Sequence, residues 1–258
     1  MFCKWVYLIG FAFVSACNSA FVDTLQKCSY KDNKCVVDLI QNILKDISKD
    51  GVPELDIPPV DPLYLKNISV SIMNLFKFSL DHAQLKGIKD CVINSIDNNF
   101  DKGVTNMDIT CDLSIKAKYK LDEINPMIQN FLGSNAIYAD GNAKVNLEKI
   151  NMKMNFFYHI TKKDDGDLYV ECHMDEFRYN FEIGNLKINV NKIFFGNQDV
   201  SDFVTAFVNQ NWKFIMPTIG QDIFDVAMKI FDEILHRFFK AVPVKYFLTD
   251  DVTQFVKN

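Results

Sequence analysis

The stretch from Asp199 to Lys240, DVSDFVTAFVNQNWKFIMPTIGQDIFDVAMKIFDEILHRFFK, decides the fold. Apolar residues recur at Val200, Phe203, Val204, Phe207, Val208, Trp212, Ile215, Met216, Ile219, Ile223, Val226, Ile230, Ile234, Leu235 and Phe238, the three-and-four spacing of one helical stripe. A second apolar stripe runs through Phe214, Phe224, Met228, Phe231 and Phe239, so more than half of the circumference is expected to be covered by other protein. Asp199 or Ser201 can cap the start, Pro217 removes a backbone donor and should kink the middle, and Pro243 follows the end. At about 1.5 Å per residue such a helix spans roughly 63 Å. No second helix of that length is visible in the sequence, so its cover is expected to be a sheet.

Working outward, the strands supply that cover. From Met107 through Ile109, Cys111, Leu113, Ile115, Ala117, Tyr119 and Leu121 every odd position is apolar, while Asp108, Thr110, Asp112, Ser114, Lys116, Lys118 and Lys120 fill the even ones. Unbroken alternation of this length is one strand with one dry face, roughly 50 Å long at about 3.4 Å per residue. A flat sheet of that size is out of scale with the domain, and curving it round the greasy helix resolves the mismatch. Ala143, Val145 and Leu147 point inward on odd positions, then Ile150, Met152, Met154, Phe156, Tyr158 and Ile160 on even ones, a parity flip that predicts a β-bulge at Glu148-Lys149. After the turn at Lys163 to Asp167, Leu168, Val170, Cys172 and Met174 give way to Phe177, Tyr179, Phe181 and Ile183, predicting a second bulge at Asp175-Glu176, nearly across the hairpin from the first. Leu186, Ile188 and Val190 read as a last strand. Upstream, Val36 to Ile47 reads as an amphipathic helix, residues 66–72 and Phe76, Phe78 and Leu80 as two strands, and Ile88 to Ile96 as a third. The class is α+β: a long kinked C-terminal helix wrapped by a highly curved antiparallel β-sheet.

With 258 residues, 48% of them hydrophobic and 23 of them Phe, the chain has the apolar mass for one large core. Residues 1–19 read as a signal peptide: Lys4, an apolar run from Trp5 to Val14, then Ala16, Ser19 or Ala20 as small residues for cleavage. Residues 20–258 are then a single secreted, extracellular domain, expected to be a monomer without an integral membrane segment. A net charge of −5 with no concentrated basic patch argues against nucleic acid as a partner. Secretion makes the cysteines disulfide candidates. Cys28 and Cys35 close a short polar loop. Cys91 and Cys111 are equidistant from Asp101, so a hairpin there makes them either a cross-strand bridge or two adjacent buried thiols, and Cys172 reads as a buried free thiol. Asn67-Ile68-Ser69 is a glycosylation sequon on an outward-facing position.

Catalytic templates are scarce: the chain has no nucleophile elbow, zinc-protease helix or phosphate loop, and only four His. His159 and His173, equidistant from Gly166, are expected opposite one another on the outer face, where two solvent-facing imidazoles outweigh a metal site. No metal, cofactor or enzymatic activity is expected. The inward apolar surface, rich in Phe, Tyr and flexible Met, suits an interior that adapts to an elongated guest. The candidate wall is Phe76, Phe78, Ile115, Met154, Phe156, Tyr158, Phe177, Tyr179, Trp212, Met216 and Ile219, with Tyr158, Tyr179 and Trp212 offering polar tips to a head group. The competing reading is a protein with a packed interior that docks on a lipid surface or receptor through an apolar tip such as Phe194-Phe195.

The loop Cys28-x6-Cys35, the segment Pro58-Pro-Val-Asp-Pro-Leu63 leading into Lys66-Asn-Ile-Ser-Val70, and Asn209-Gln-Asn-Trp-Lys213 with Pro217 and Pro243 resemble the insect Takeout and haemolymph juvenile-hormone-binding protein family. The resemblance implies a long helix rolled in a curved antiparallel sheet, an interior tunnel for juvenile hormone or another apolar molecule, transport as the role, and the local disulfide Cys28–Cys35. Hormone carriers of that family also have a second bridge. Here Cys172 has no cysteine in the C-terminal helix to meet it, which places the chain nearer the Takeout members.

Overall fold

The computed structural model describes residues 21–133 and 136–256, so the expected signal peptide lies outside the described residues. The first helix, α1 (Asn33–Asp50), begins where Asp32 accepts a hydrogen bond from the Cys35 amide at 3.0 Å, and the Cys28–Cys35 disulfide ties its first turn to the preceding loop. This cap starts the helix earlier than the apolar spacing alone indicates.

The strands are β1 (Leu63–Ile72), β2 (Phe76–Lys86), β3 (Val92–Asn99), β4 (Val104–Ile124), β5 (Ile137–Lys162), β6 (Leu168–Val190), β7 (Ile193–Phe195) and β8 (Gln198–Asp199). A short helix, α2 (Pro126–Leu132), joins β4 to β5, and α3 (Ser201–Ala241) closes the set. All pairings of these strands are antiparallel. On one side β4 pairs first with β3, over Val104–Thr110, and then with β2, over Ser114–Ile124; on its other side it pairs with β5. β6 follows β5, and β1 follows β2, so β1 and β6 are the outer strands. Both lie against α3, which means that the sheet curls until its two edges meet the same helix.

Hydrogen bonds from helix side chains close those edges. Asn209 receives the Ile188 amide on Oδ1 at 2.7 Å and donates from Nδ2 to the Ile188 carbonyl at 2.9 Å, so one carboxamide pairs with the free edge of β6 as a neighbouring strand would. Thr205, one turn earlier, accepts from the Val190 amide at 3.3 Å, and Ser201 accepts from the Ile193 amide at 2.9 Å. Gln41 of α1 does the same for β3, donating to the Cys91 carbonyl at 2.8 Å and accepting from the Ile93 amide at 3.1 Å. At the β1–β2 turn, Asp222 of α3 accepts from the Met73 amide at 2.7 Å.

Several sequence readings are refined. The bulge at Glu148-Lys149 is present: Cys111 pairs with Ile150 and Leu113 with Leu147, so two β5 residues oppose Asp112 alone. Lys149 turns to φ +51 and donates its amide to Asp112 Oδ1 at 2.6 Å, and a Cβ on the facing Gly184 would stand 2.9 Å from Lys149 Cβ. A bulge in β6 lies between Arg178 and His173, but it faces Phe156, whereas Glu148 pairs with Asn185. The two bulges therefore do not face each other: the hairpin turns about Asp165, where Lys162 pairs with Leu168, and the two positions lie at unequal distances from that turn. Leu186 to Val190 is the continuation of β6, not a separate strand. Ile88–Asp90 is a helical turn pinned by Asp61 Oδ2, which accepts from the Gly87 and Lys89 amides, so β3 starts at Val92. The Cys91–Cys111 alternative resolves to a disulfide with Cα atoms 4.3 Å apart, and Cys172 is a free thiol.

The helix departs most from expectation. It runs unbroken through Pro217, and apart from Ser201 at its first residue only its middle is deeply covered, by way of Met216, Gly220 and Phe224. Phe203 and Phe207 of the first stripe and Phe214 of the second are 69%, 50% and 83% exposed, so neither stripe is sheathed along its whole length. The physical reason is that α3 fills the seam between β6 and β1 and turns only one side inward. Replacing Asn209 by Ala strands the Ile188 amide and carbonyl at once, and should cost about 1 to 3 kcal/mol in urea unfolding. A loss below about 0.5 kcal/mol would mean that water substitutes freely at that edge.

Candidate functional site

The dry faces of β4, β5 and β6 and the inward side of α3 meet in one apolar interior. Ile150, Met152, Met154 and Leu186 are fully buried there, and Ile115, Phe156, Phe177, Tyr179, Trp212 and Ile219 pack against them at partial burial. Alternate residues of β6 form an aromatic ladder: Phe177 stacks with Tyr179 at 5.8 Å between ring centroids, and Tyr179 with Phe181 at 6.4 Å. The helix answers it, with Phe224 stacked on Phe181 at 4.0 Å and Phe231 6.1 Å from Phe156, which in turn lies 5.1 Å from Phe177. Gly220 permits this approach, since a Cβ there would stand 2.8 Å from Phe181 Cζ. A recess of about 470 Å³ opens between β6 and α3, lined by Phe181, Ile183, Trp212 and Met216 with Glu182, Lys213 and Pro217.

Most of the wall read from the sequence is therefore brought together: Ile115, Met154, Phe156, Phe177, Tyr179, Trp212, Met216 and Ile219 share one cluster. Phe76 and Phe78 do not join it. They sit near the β1–β2 turn, paired with Ile72 and Ile124 and with Val70 and Leu121, and Phe78 packs near Tyr119 at 6.3 Å. Tyr158 belongs to a neighbouring cluster with Cys28, Ile160, Val242 and Phe247, which closes the end of the interior beneath the C-terminal segment. Asn67 is exposed on β1.

The polar tips differ in what they have left to offer. The Tyr179 hydroxyl donates to Asp225 Oδ1 at 2.5 Å, and Gln221 Nε2 donates to both groups at 2.8 Å, so this tip is engaged within the protein. Burial and the Asp225 hydrogen bond hold the Tyr179 phenol well above its ordinary pKa. The Tyr158 hydroxyl, by contrast, is buried without a hydrogen-bond partner, and burial pushes its pKa up to about 12. The adjacent Thr105 hydroxyl donates to Asn98 Oδ1 at 2.7 Å and keeps its lone pairs toward Tyr158, which draws that pKa part of the way back. Asp232 Oδ1 on α3 is likewise buried and unpartnered, and its carboxyl is held above the usual range by burial, with His236 opposing. Cys172, opposite Tyr158 across the β5–β6 pairing, is pushed up to about 12 by burial and then by the Asp232 charge.

Asp232 escaped the sequence reading, although a signal was present. It stands four residues after Met228 and three before Leu235, within the inward stripe, and beside Glu233 it looks like half of an ordinary surface pair. His159 and His173 are brought together, but diagonally: His159 pairs with Glu171 and His173 with Phe157. Their rings stack at 4.8 Å with Nδ1 of His159 2.8 Å from Nε2 of His173, while His159 Nε2 faces Glu171 at 3.5 Å. The two nitrogens of His159 thus face different neighbours rather than converging on one point. Among the described residues, no group of three or more His, Cys, Asp or Glu is arranged to hold a metal, and no helix is long and apolar enough to cross a membrane.

A single antiparallel sheet rolled on a helical spine, with an apolar interior between them, defines the structural class. The chain belongs to the haemolymph juvenile hormone binding protein family, whose pattern it matches over residues 7–249. Its fold is similar to the crystal structure of Takeout 1 from Epiphyas postvittana, with a TM-score of 0.73 and 24% identity over 87% of this chain and 99% of that one. A lipopolysaccharide binding protein gives a TM-score of only 0.29 at 10% identity, over 68% of this chain and 35% of that one, too low to carry an argument. No curated protein matches the sequence.

The position of Asp232 makes its effect on stability testable. A carboxyl whose pKa is raised on folding binds its proton more readily in the native state. Its stabilising contribution is complete below the ordinary Asp value of 3.8 and is lost as pH rises through the raised one. Asp232→Asn should therefore raise the melting temperature at neutral pH, and the gain should shrink as pH falls toward 4 in a thermal-shift series. A gain that stays constant with pH would remove the buried carboxylate as its cause.

Proposed function

We propose that this chain is a secreted, non-enzymatic carrier that takes up one elongated apolar molecule, such as a juvenile-hormone-like terpenoid or a fatty acid, and shields it from water. The observation that carries this reading is the partial burial of the inward aromatic ladder of β6 and its partners Phe156, Trp212 and Ile219. A core that needs no guest would bury these side chains as fully as Ile150 and Met154. Membership in a family described by hormone binding, and a fold shared with Takeout 1, support the same reading. Burying roughly 300 to 500 Å² of ligand would supply about 8 to 12 kcal/mol before the costs of association. On this reading residues 1–19 are removed on secretion, and Asn67 is available for glycosylation.

One observation favours a second reading, docking on a lipid surface or receptor. Met127 and Phe131 of α2 are 75% and 87% exposed, and Phe195, Phe203, Phe207 and Phe214 are also exposed.

Native mass spectrometry of the protein secreted from insect cells distinguishes the two. The carrier reading expects a stoichiometric apolar passenger that is lost on denaturation and extractable into solvent. It also expects Met216→Trp to lower uptake of an apolar probe at least several-fold by filling the recess beside Trp212 and Phe181. A bare mass that stays bare after incubation with terpenoid and fatty-acyl candidates would overturn the carrier reading and leave surface docking, which liposome flotation measures directly.

A further inference from the structure

The outer face of the sheet gathers lysines that the sequence keeps apart. Strand pairing puts Lys66 of β1, His82 of β2, Lys118 of β4 and Asn142 of β5 in one row, and Tyr64, Gln84, Lys116 and Lys144 in the next. On one side follows Lys120, between Ser79 and Asp140, and on the other a row from Lys86 through Ser114 and Asn146 to Lys187. These lysines are exposed, while Ala83, Ala117 and Tyr119, which alternate with them along the same strands, are buried. Acidic company is sparse: Asp140 stands in the rows, and Asp81, at the β2 bulge, lies 3.4 Å from Lys118. Among the described residues, Lys118 is the one lysine of this face with a carboxylate oxygen within 4 Å. Lys116 and Lys144 are direct cross-strand neighbours, a like-charge pairing that costs stability. All this stands in a chain with 28 basic and 33 acidic residues, so positive charge is segregated onto one face of an acidic protein.

We infer that this lysine face is a docking surface for a sulfated polysaccharide. The inference is independent of what the interior holds, and takes from the proposed function only that the protein is secreted. A basic surface of this density attracts a polyanion and speeds its encounter. Lys116, Lys118 and Lys120 stand about 7 Å apart along β4, and neighbouring strands are about 5 Å apart, so flexible ammonium groups cover a patch wide enough for several sulfates of one chain. Because the sheet curls round α3, its outer face is convex, and a flat bilayer would meet it only along a narrow contact. Tyr64, 65% exposed, is the one large apolar side chain of these rows that could enter a lipid surface. A flexible linear polyanion can follow the curve and needs no apolar anchor. The anionic leaflet that draws polybasic proteins to membranes is also the cytoplasmic one, which a secreted protein does not meet.

The test measures binding of the full-length secreted protein to immobilised heparin by surface plasmon resonance. Binding is expected at about 50 mM NaCl, with roughly tenfold or more lost by about 200 mM, since each neutralised sulfate releases counterions. Lys116→Gln, Lys118→Gln and Lys144→Gln together should weaken binding about tenfold or more. Lys45→Gln, Lys49→Gln and Lys229→Gln, exposed positions on α1 and α3 that remove the same charge, should leave it within about twofold. No binding of the unmodified protein at the lower salt would overturn the inference, and needs no variant to fold. Equal losses in the two triple variants would make net charge the cause and overturn the face as the site. Flotation with phosphatidylserine-containing vesicles, abolished by the face variant and without heparin binding, would overturn the polysaccharide in favour of a membrane. Each outcome leaves the carrier reading intact, because the interior takes no part.

Discussion

Three strands of 21, 26 and 23 residues, β4, β5 and β6, each have one apolar face, and that face must be kept from water along its whole length. A flat sheet of such strands cannot do this in a single domain, because nothing of equal area faces it. Curling brings the sheet's own dry face inward, but an open curl has edges, and every edge exposes amides and carbonyls that need partners. The helix α3 meets both needs. Its apolar side fills the axis of the curl, and its Ser201, Thr205 and Asn209, spaced one turn apart, meet the backbone at the end of β6 and beyond. The carboxamide of Gln41 on α1 repeats the device at β3. Two residues whose side chains carry the same donor-acceptor pair as the peptide group thus take the place of missing strands.

The same arrangement makes the two ends of the molecule unlike. At one end the Cys28–Cys35 loop, α1, the β5–β6 turn and the segment after α3 pack together around Val242, Val252 and Ile160, which are almost fully buried. The C-terminal segment is bridged there to the N-terminal loop, Leu248 to Cys28, and to the sheet, Val256 to Ile160. The other end, built from the β1–β2 turn, α2, β7, β8 and the start of α3, carries exposed Met73, Phe131 and Phe203 instead.

Much of this was legible in the sequence because period is a strong signal when it lasts. The alternation from Met107 to Leu121 identified β4 and its inward residues, and the parity flip at Glu148-Lys149 identified a bulge that Asp112 now explains. What failed was whatever depended on register across a long hairpin. His159 and His173 fell on a diagonal because the hairpin turns about Asp165, with Lys162 paired to Leu168, and the β6 bulge fell opposite Phe156 because it lies nearer that turn than the bulge at Glu148-Lys149. Side-chain edge closure was invisible for another reason. Asn209 and Gln41 look like ordinary polar positions on a helix until a particular strand edge lies beside them. The exposure of Phe203 and Phe214 was hidden too, since hydrophobicity records what a face would prefer and not whether the sheet reaches it.

Two aspartates of α3, Asp225 and Asp232, meet different surroundings. Tyr179 and Asp225 project from β6 and α3 toward each other, and Gln221, one turn before Asp225, donates to both. Asp232 lies about two turns further along the same helix. Asp232 Oδ1 has no hydrogen-bond partner, and the position one turn before it is Met228 in place of a glutamine. The Tyr179 and Asp225 pair shows that this sheet and helix can satisfy a tyrosine and an aspartate within the protein. At Asp232 no such partner is supplied, and the cost of covering a carboxylate oxygen is expressed instead as a carboxyl held above its usual range.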